Sequence, residues 1–162
     1  MPGFESANPD FAQRVRDSFA RQGIMGLIGA RLSLVEPGLV EIELPFRGDL
    51  TQQHGFFHAG VTSTIADSAG GYAAFSLFPD EASVLTVEYK INLVAPAKGE
   101  LLRAVGRVLR PGRTLTLCDL EVFALEAGAS KLCAKGLQTI MRLDGRPDGP
   151  SVGAPSNRPA TG

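Results

Sequence analysis

AGVTSTIADSAGGYAAFSLF, residues 59–78, is small or apolar almost all round. As a helix it would run about 30 Å without the polar stripe that faces a surface helix to water, so it reads as a buried central helix. The length suits a membrane span, but Thr62, Ser63, Thr64, Asp67, Ser68 and Ser76 make the stretch too polar for unaided insertion.

Working outward, residues 47–57 show no apolar periodicity and hold Gln52, Gln53, His54 and Gly55, which predicts an irregular loop beside the helix start. Before it, residues 30–35 and 39–46 alternate around Glu36-Pro37-Gly38 and predict a first hairpin. Asn8-Pro9-Asp10-Phe11 reads as a helix start with Asn8 as cap; Phe11, Val15, Ser18 and Phe19 follow at helical spacing, and Gly23 should stop that helix. Downstream, residues 83–94, 101–109, 114–125 and 131–143 read as strands. They are separated by Pro96-Ala97-Lys98-Gly99, Arg110-Pro111-Gly112-Arg113 and Glu126-Ala127-Gly128, which predicts three hairpin connections. The class is therefore α+β, a curved antiparallel sheet wrapped around one long helix with a further helix at the N-terminus. Such a sheet leaves an edge strand and an open face that a second copy would cover. One domain is expected over residues 1–143, followed by a Gly-, Pro- and Ser-rich tail, 144–162, that cannot offset its ordering entropy and should be disordered.

The 162 residues carry 16 Lys plus Arg against 17 Asp plus Glu, a net charge of −1, which argues against a polynucleotide or membrane-surface partner. Cys118 and Cys133 suit neither a disulfide framework nor a zinc site, so a reducing cytoplasm is expected and no metal. The N-terminal residues include Glu5, Asp10, Arg14 and Arg16 with no apolar run, so no signal peptide is expected.

Asp67 is the single charged residue between Ala59 and Phe78, and burying a lone carboxylate is costly. Either it bonds to Ser63 or Thr64 on its own helical face, or it lines a cleft as base or nucleophile. A charge stabiliser is available at the helix N-terminus, where the Ala59 and Gly60 amides lack intrahelical acceptors. Gly60 and Asp67 share a face but are separated by roughly 10 Å along the axis, so one carbonyl cannot touch both in one chain. A working site then needs Asp67 from one subunit and the helix tip from another. His58 and Asp67 fall on opposite helical faces and do not form a dyad within one chain.

The stretches QQHGFFHAGVTSTIADSAGGYAAFS and LTVEYKINLVAPAKG resemble the hotdog-fold acyl-CoA thioesterases of the PaaI type, over roughly residues 20–143. Members carry His-Gly-Gly at the start of the central helix and an acid nine positions after the His; His58-Ala59-Gly60 and Asp67 keep that spacing, with Ala59 in place of the first Gly. The resemblance implies that the Ala59 amide, with Gly60 beside it, polarises the thioester carbonyl and that the partner's Asp67 acts as base or nucleophile. It places Thr86 where relatives orient the carboxylate or water, and Gln52 near the thioester. Ser68 and Phe57 are then candidates for substrate contact, as are Arg110 and Arg113, with Lys135, for the coenzyme A phosphates. The expected protein is a homodimer, paired into a tetramer, that takes an acyl-CoA substrate and needs no cofactor. A hydratase on the same fold and a non-catalytic acyl-CoA binder are the alternatives.

Overall fold

The computed structural model describes residues 3–149; the tail expected to be disordered lies, from residue 150 on, outside the described residues. Helix α1 (Phe11–Arg21) begins after Asp10, two residues later than a cap at Asn8 would give. Asn8 instead accepts a hydrogen bond from the Asp10 amide at 2.7 Å, closing a turn that leads into the helix. Extended Gln22 ends α1, and Gly23, expected as a stop, opens a second short helix, α2 (Gly23–Ile28), which closes on Gly29 at φ 77°. Six residues are too few for periodicity to reveal such a helix.

Strands β1 (Arg31–Glu36) and β2 (Leu39–Pro45) form the predicted hairpin around Gly38 at φ 76°, a conformation suited to glycine. Helix α3 (Ala59–Phe75) follows the loop and is three residues shorter than its apolar stretch. The shortening has a cause: the Ser76 hydroxyl donates to the Ala73 carbonyl at 2.6 Å and accepts from the Gly38 amide at 2.8 Å, so the helix end is fastened to the first hairpin.

The remaining strands are β3 (Ala82–Leu93), β4 (Leu101–Arg110), β5 (Leu115–Glu126) and β6 (Ala129–Asp144). All pairings in the six-stranded sheet are antiparallel, in the order β1-β2-β4-β5-β6-β3. Two of the three expected hairpins, β4–β5 and β5–β6, are present. The third is not: β3 pairs with β6, from Ala82↔Asp144 to Leu93↔Ala134, and β4 pairs with β2. Pro96–Gly99 is therefore part of a crossover, which passes the start of α3 where the Phe57 amide donates to the Ala97 carbonyl at 3.0 Å.

The core is the inner sheet face, Val40, Ile42, Leu44, Leu102, Leu120, Val122 and Ile140, closed over Ile65, Ala69 and Phe75 of α3. The sheet touches the helix backbone at Gly106, where an added Cβ would lie 2.2 Å from the Ala69 carbonyl carbon and 2.3 Å from the Gly70 nitrogen. That close approach fixes the height of the α3 midpoint above the sheet. At the sheet edge, β3 exposes Leu85, Val87, Tyr89 and Leu93, an apolar row of the kind that soluble chains cover.

Candidate active site

The first turn of α3 is held by its own neighbours. The His58 amide donates to the Leu50 carbonyl at 2.9 Å, and the His58 ring caps the helix, Nδ1 accepting from the Gly60 amide at 2.8 Å. An accepting Nδ1 in a neutral ring places the proton on Nε2. The Gly60 amide is thereby occupied. The Ala59 amide, in contrast, has no acceptor among the described residues and is the available donor at the positive end of the helix dipole. Beside it lies a cavity of about 530 Å³ lined by Gln52, Phe57, Ala59, Leu93, Pro96 and Cys133, among others. Gln52 also accepts, through Oε1, from the His54 amide, a turn that orients the loop at the cavity mouth.

Asp67 is half-buried two turns further on. Its partners are neither Ser63 nor Thr64; the Thr64 hydroxyl donates instead to the Gly60 carbonyl at 2.8 Å. Oδ1 of Asp67 accepts from the Thr86 hydroxyl at 2.8 Å and from Gln138 Nε2 at 2.6 Å. Asp67, Ser68 and Thr86 share a cavity of about 280 Å³ with Gln22, Tyr72 and Val84. The Ser68 hydroxyl donates to Gln22 Oε1 at 3.2 Å, and the Tyr72 and Ser18 hydroxyls are 3.2 Å apart. Burial pushes the Tyr72 phenol above its ordinary range, so it stays a neutral hydrogen-bonding group.

Gln138 and Gln22 escaped the sequence reading. Gln22 carries no periodic signal, since it joins two helices. Gln138 did carry one: it sits at an inward register position of β6, in step with Ala134, Gly136 and Ile140, where a polar residue needs a reason.

The structure gathers the expected residues into two groups. Gln52, Phe57, His58, Ala59 and Gly60 stand at the tip of α3, and Asp67, Ser68 and Thr86 at its midpoint, and the two cavities share no lining residue. Arg110 and Arg113, exposed around the β4–β5 turn, line neither. Lys135 is engaged on the outer sheet face by Asp119 at 2.6 Å and Glu121 at 3.0 Å. Burial pushes the Cys118 thiol up to about 12 and that of Cys133 up to about 11, so both are neutral packing groups at ordinary pH. No helix among the described residues is long and apolar enough to cross a membrane, and no three His, Cys, Asp or Glu side chains among them cluster as metal ligands would.

Residues 54–130, which span the α3 tip, Asp67, Thr86 and strands β3 to β5, match the model of the thioesterase superfamily. A thioesterase family protein from Silicibacter pomeroyi is 50% identical with a TM-score of 0.82, covering 83% of this chain and 99% of its own. A putative esterase from Saccharolobus solfataricus is 32% identical over 125 residues, 77% of this chain and 81% of the relative. The E. coli PaaI protein superposes with a TM-score of 0.74 over 85% of this chain and 96% of its own at 17% identity, a likeness of fold. With a lone carboxylate and a free helix-tip amide on the central helix of that fold, the chain belongs to the thioesterase superfamily and is a thioester hydrolase of the hotdog, PaaI-like type.

Proposed function

We propose that the chain hydrolyses aromatic or medium-chain acyl-CoA to the free acid and coenzyme A, as a cytoplasmic homodimer that pairs into a tetramer. One observation carries the reading: an amide without an acceptor among the described residues and a carboxylate pinned through one oxygen stand on the same rod, Ala59 and Asp67 being about 12 Å apart along its axis. Neither can reach the other's substrate atom within one protomer. Two antiparallel copies of α3, brought together by pairing the apolar β3 edges, would set the tip of each beside the midpoint of the other.

In that arrangement the thioester carbonyl oxygen accepts from the Ala59 amide, and the helix tip stabilises the negative charge that builds on it. Asp67 of the partner subunit attacks the carbonyl carbon, or takes a proton from the water that does. Collapse of the tetrahedral intermediate expels the coenzyme A thiolate; the acyl group leaves as the carboxylic acid directly, or after water opens an acyl-Asp67 anhydride. Thr86 holds the carboxylate, Gln52 faces the thioester from the tip cavity, and His58 orients the tip. Ser68 lines the acyl cavity and Phe57 the slot for the pantetheine arm. Arg110 and Arg113 are the cations offered to the phosphates. The cavity beside Asp67, about 280 Å³ within one protomer, is where the acyl group would lie.

The test is thiol release from a panel of phenylacetyl-, benzoyl- and hexanoyl-CoA. Wild type should turn over at least one of them, and Asp67→Asn should fold normally yet lose about 10²- to 10⁴-fold in kcat. Full turnover by that variant removes the mechanism. Loss of enoyl-CoA absorbance without thiol release would instead identify a hydratase.

A further inference from the structure

Gln138 is 1% exposed, and its carboxamide lies beneath α3. Its Nε2 is 2.6 Å from Asp67 Oδ1, 3.0 Å from the Asp67 carbonyl oxygen and 3.2 Å from Thr86 Oγ1, so two N–H groups serve three acceptors of one cluster. This network fixes which way the amide points, because the opposite orientation would set its oxygen against a carboxylate. The chosen orientation has a cost: Oε1 is buried with no hydrogen-bond partner among the described residues. Room for that oxygen exists only because residue 70 is glycine. A Cβ there would lie 1.9 Å from Gln138 Oε1 and 2.5 Å from a Leu120 methyl.

An amide kept at the expense of an unsatisfied oxygen, against a helix turn bared of its side chain, is poorly explained by packing alone. We infer that Gln138 is a positioning residue for the hydrolytic step: with Thr86 it holds Oδ1 of Asp67 and leaves Oδ2 as the oxygen that meets the substrate carbonyl or water. The inference rests on the hydrolase reading above and deepens it. The second donor gives the carboxylate one orientation where Thr86 alone would leave it free to rotate. No bond is made or broken at Gln138, which acts only through Asp67.

The experiment uses the full chain and the phenylacetyl-, benzoyl- and hexanoyl-CoA panel, with the best substrate carried through. Gln138→Met keeps length and burial while removing the donors. Its kcat should fall about 10- to 100-fold with KM within about 3-fold and a melting temperature close to wild type, since the orphaned oxygen goes too. Gln138→Leu serves as the second apolar variant should methionine disturb folding, and Gln138→Glu, which sets a second carboxyl against Asp67, should lose more. In an Asp67→Asn background, Gln138→Met should cost nothing further. Wild-type kcat in folded Gln138→Met, or an additional loss in the double variant equal to that in the single one, overturns the positioning role while the hydrolase reading stands. Wild-type turnover by Asp67→Asn alone overturns both.

Discussion

At the first turn of α3 the polar groups are arranged by near neighbours: His58 caps Gly60 two residues on, and Gln52 closes a turn on His54. At the midpoint the arrangement is long-range, Asp67 being held by Thr86 and Gln138 across sequence separations of 19 and 71. The tip is exposed and its donor is a backbone amide, which any residue but proline supplies. The midpoint is buried against a sheet that approaches to backbone contact at Gly106. A local motif can therefore assemble a donor wherever a helix begins, but a carboxylate oriented halfway along the helix needs the sheet beneath it in register.

The largest effect that would break this contrast is expected from Ala59→Pro. Proline suits the first helical position, and His58 already has the extended conformation (φ −65°, ψ 141°) that a following proline requires. Only the N–H is lost, so kcat should fall about 10²- to 10³-fold with the melting temperature nearly unchanged. Retained turnover would mean that the tip is not the carbonyl donor.

Gly106→Ala acts on the other member of the comparison. Its methyl would press into the α3 backbone at Ala69 and Gly70, and thermal unfolding should show a loss of about 3 kcal/mol. His58→Ala should be milder, costing about 1 kcal/mol of stability as a lost cap and less than about 10-fold in kcat. A loss of about 10²-fold or more would make His58 a direct acid or base.

The smallest effects belong to the thiols, one at each place: Cys133 lines the tip cavity, and Cys118 Sγ sits 3.5 Å from the Gly70 carbonyl below the midpoint. Both folded-state values, about 11 and about 12, lie above that of an unfolded cysteine, about 8.5. The folded chain thus holds these protons more tightly, and the contribution is complete below about pH 8.5 and is lost as pH rises through the folded values. Chemical unfolding should show stability flat up to that pH and falling above it. Native alkylation at pH 8 should be slow at both sites and slower at Cys118.

The residues most legible in the sequence were those whose signal is local. The apolar run of α3, its solitary Asp67 and the His58-Ala59-Gly60 entry required only neighbouring letters, as did the alternation of the strands. The place of β3 did not show, because the break at residues 96–99 looks like any hairpin turn, whereas strand order is decided by which edges meet when the sheet curves over α3. Gln138 was hidden for the same reason: its inward position could be read from β6, but its partner on α3 could not.

The central claim, that each site joins the midpoint of one protomer to the tip of its partner, is tested most directly by subunit complementation. Asp67→Asn and Ala59→Pro chains, each nearly inactive alone, are unfolded together, refolded and assayed for thiol release. Random pairing makes half of the dimers mixed, each with one intact site, so about a quarter of wild-type activity should return. Activity no higher than the sum of the two variants refolded separately would contradict a shared site.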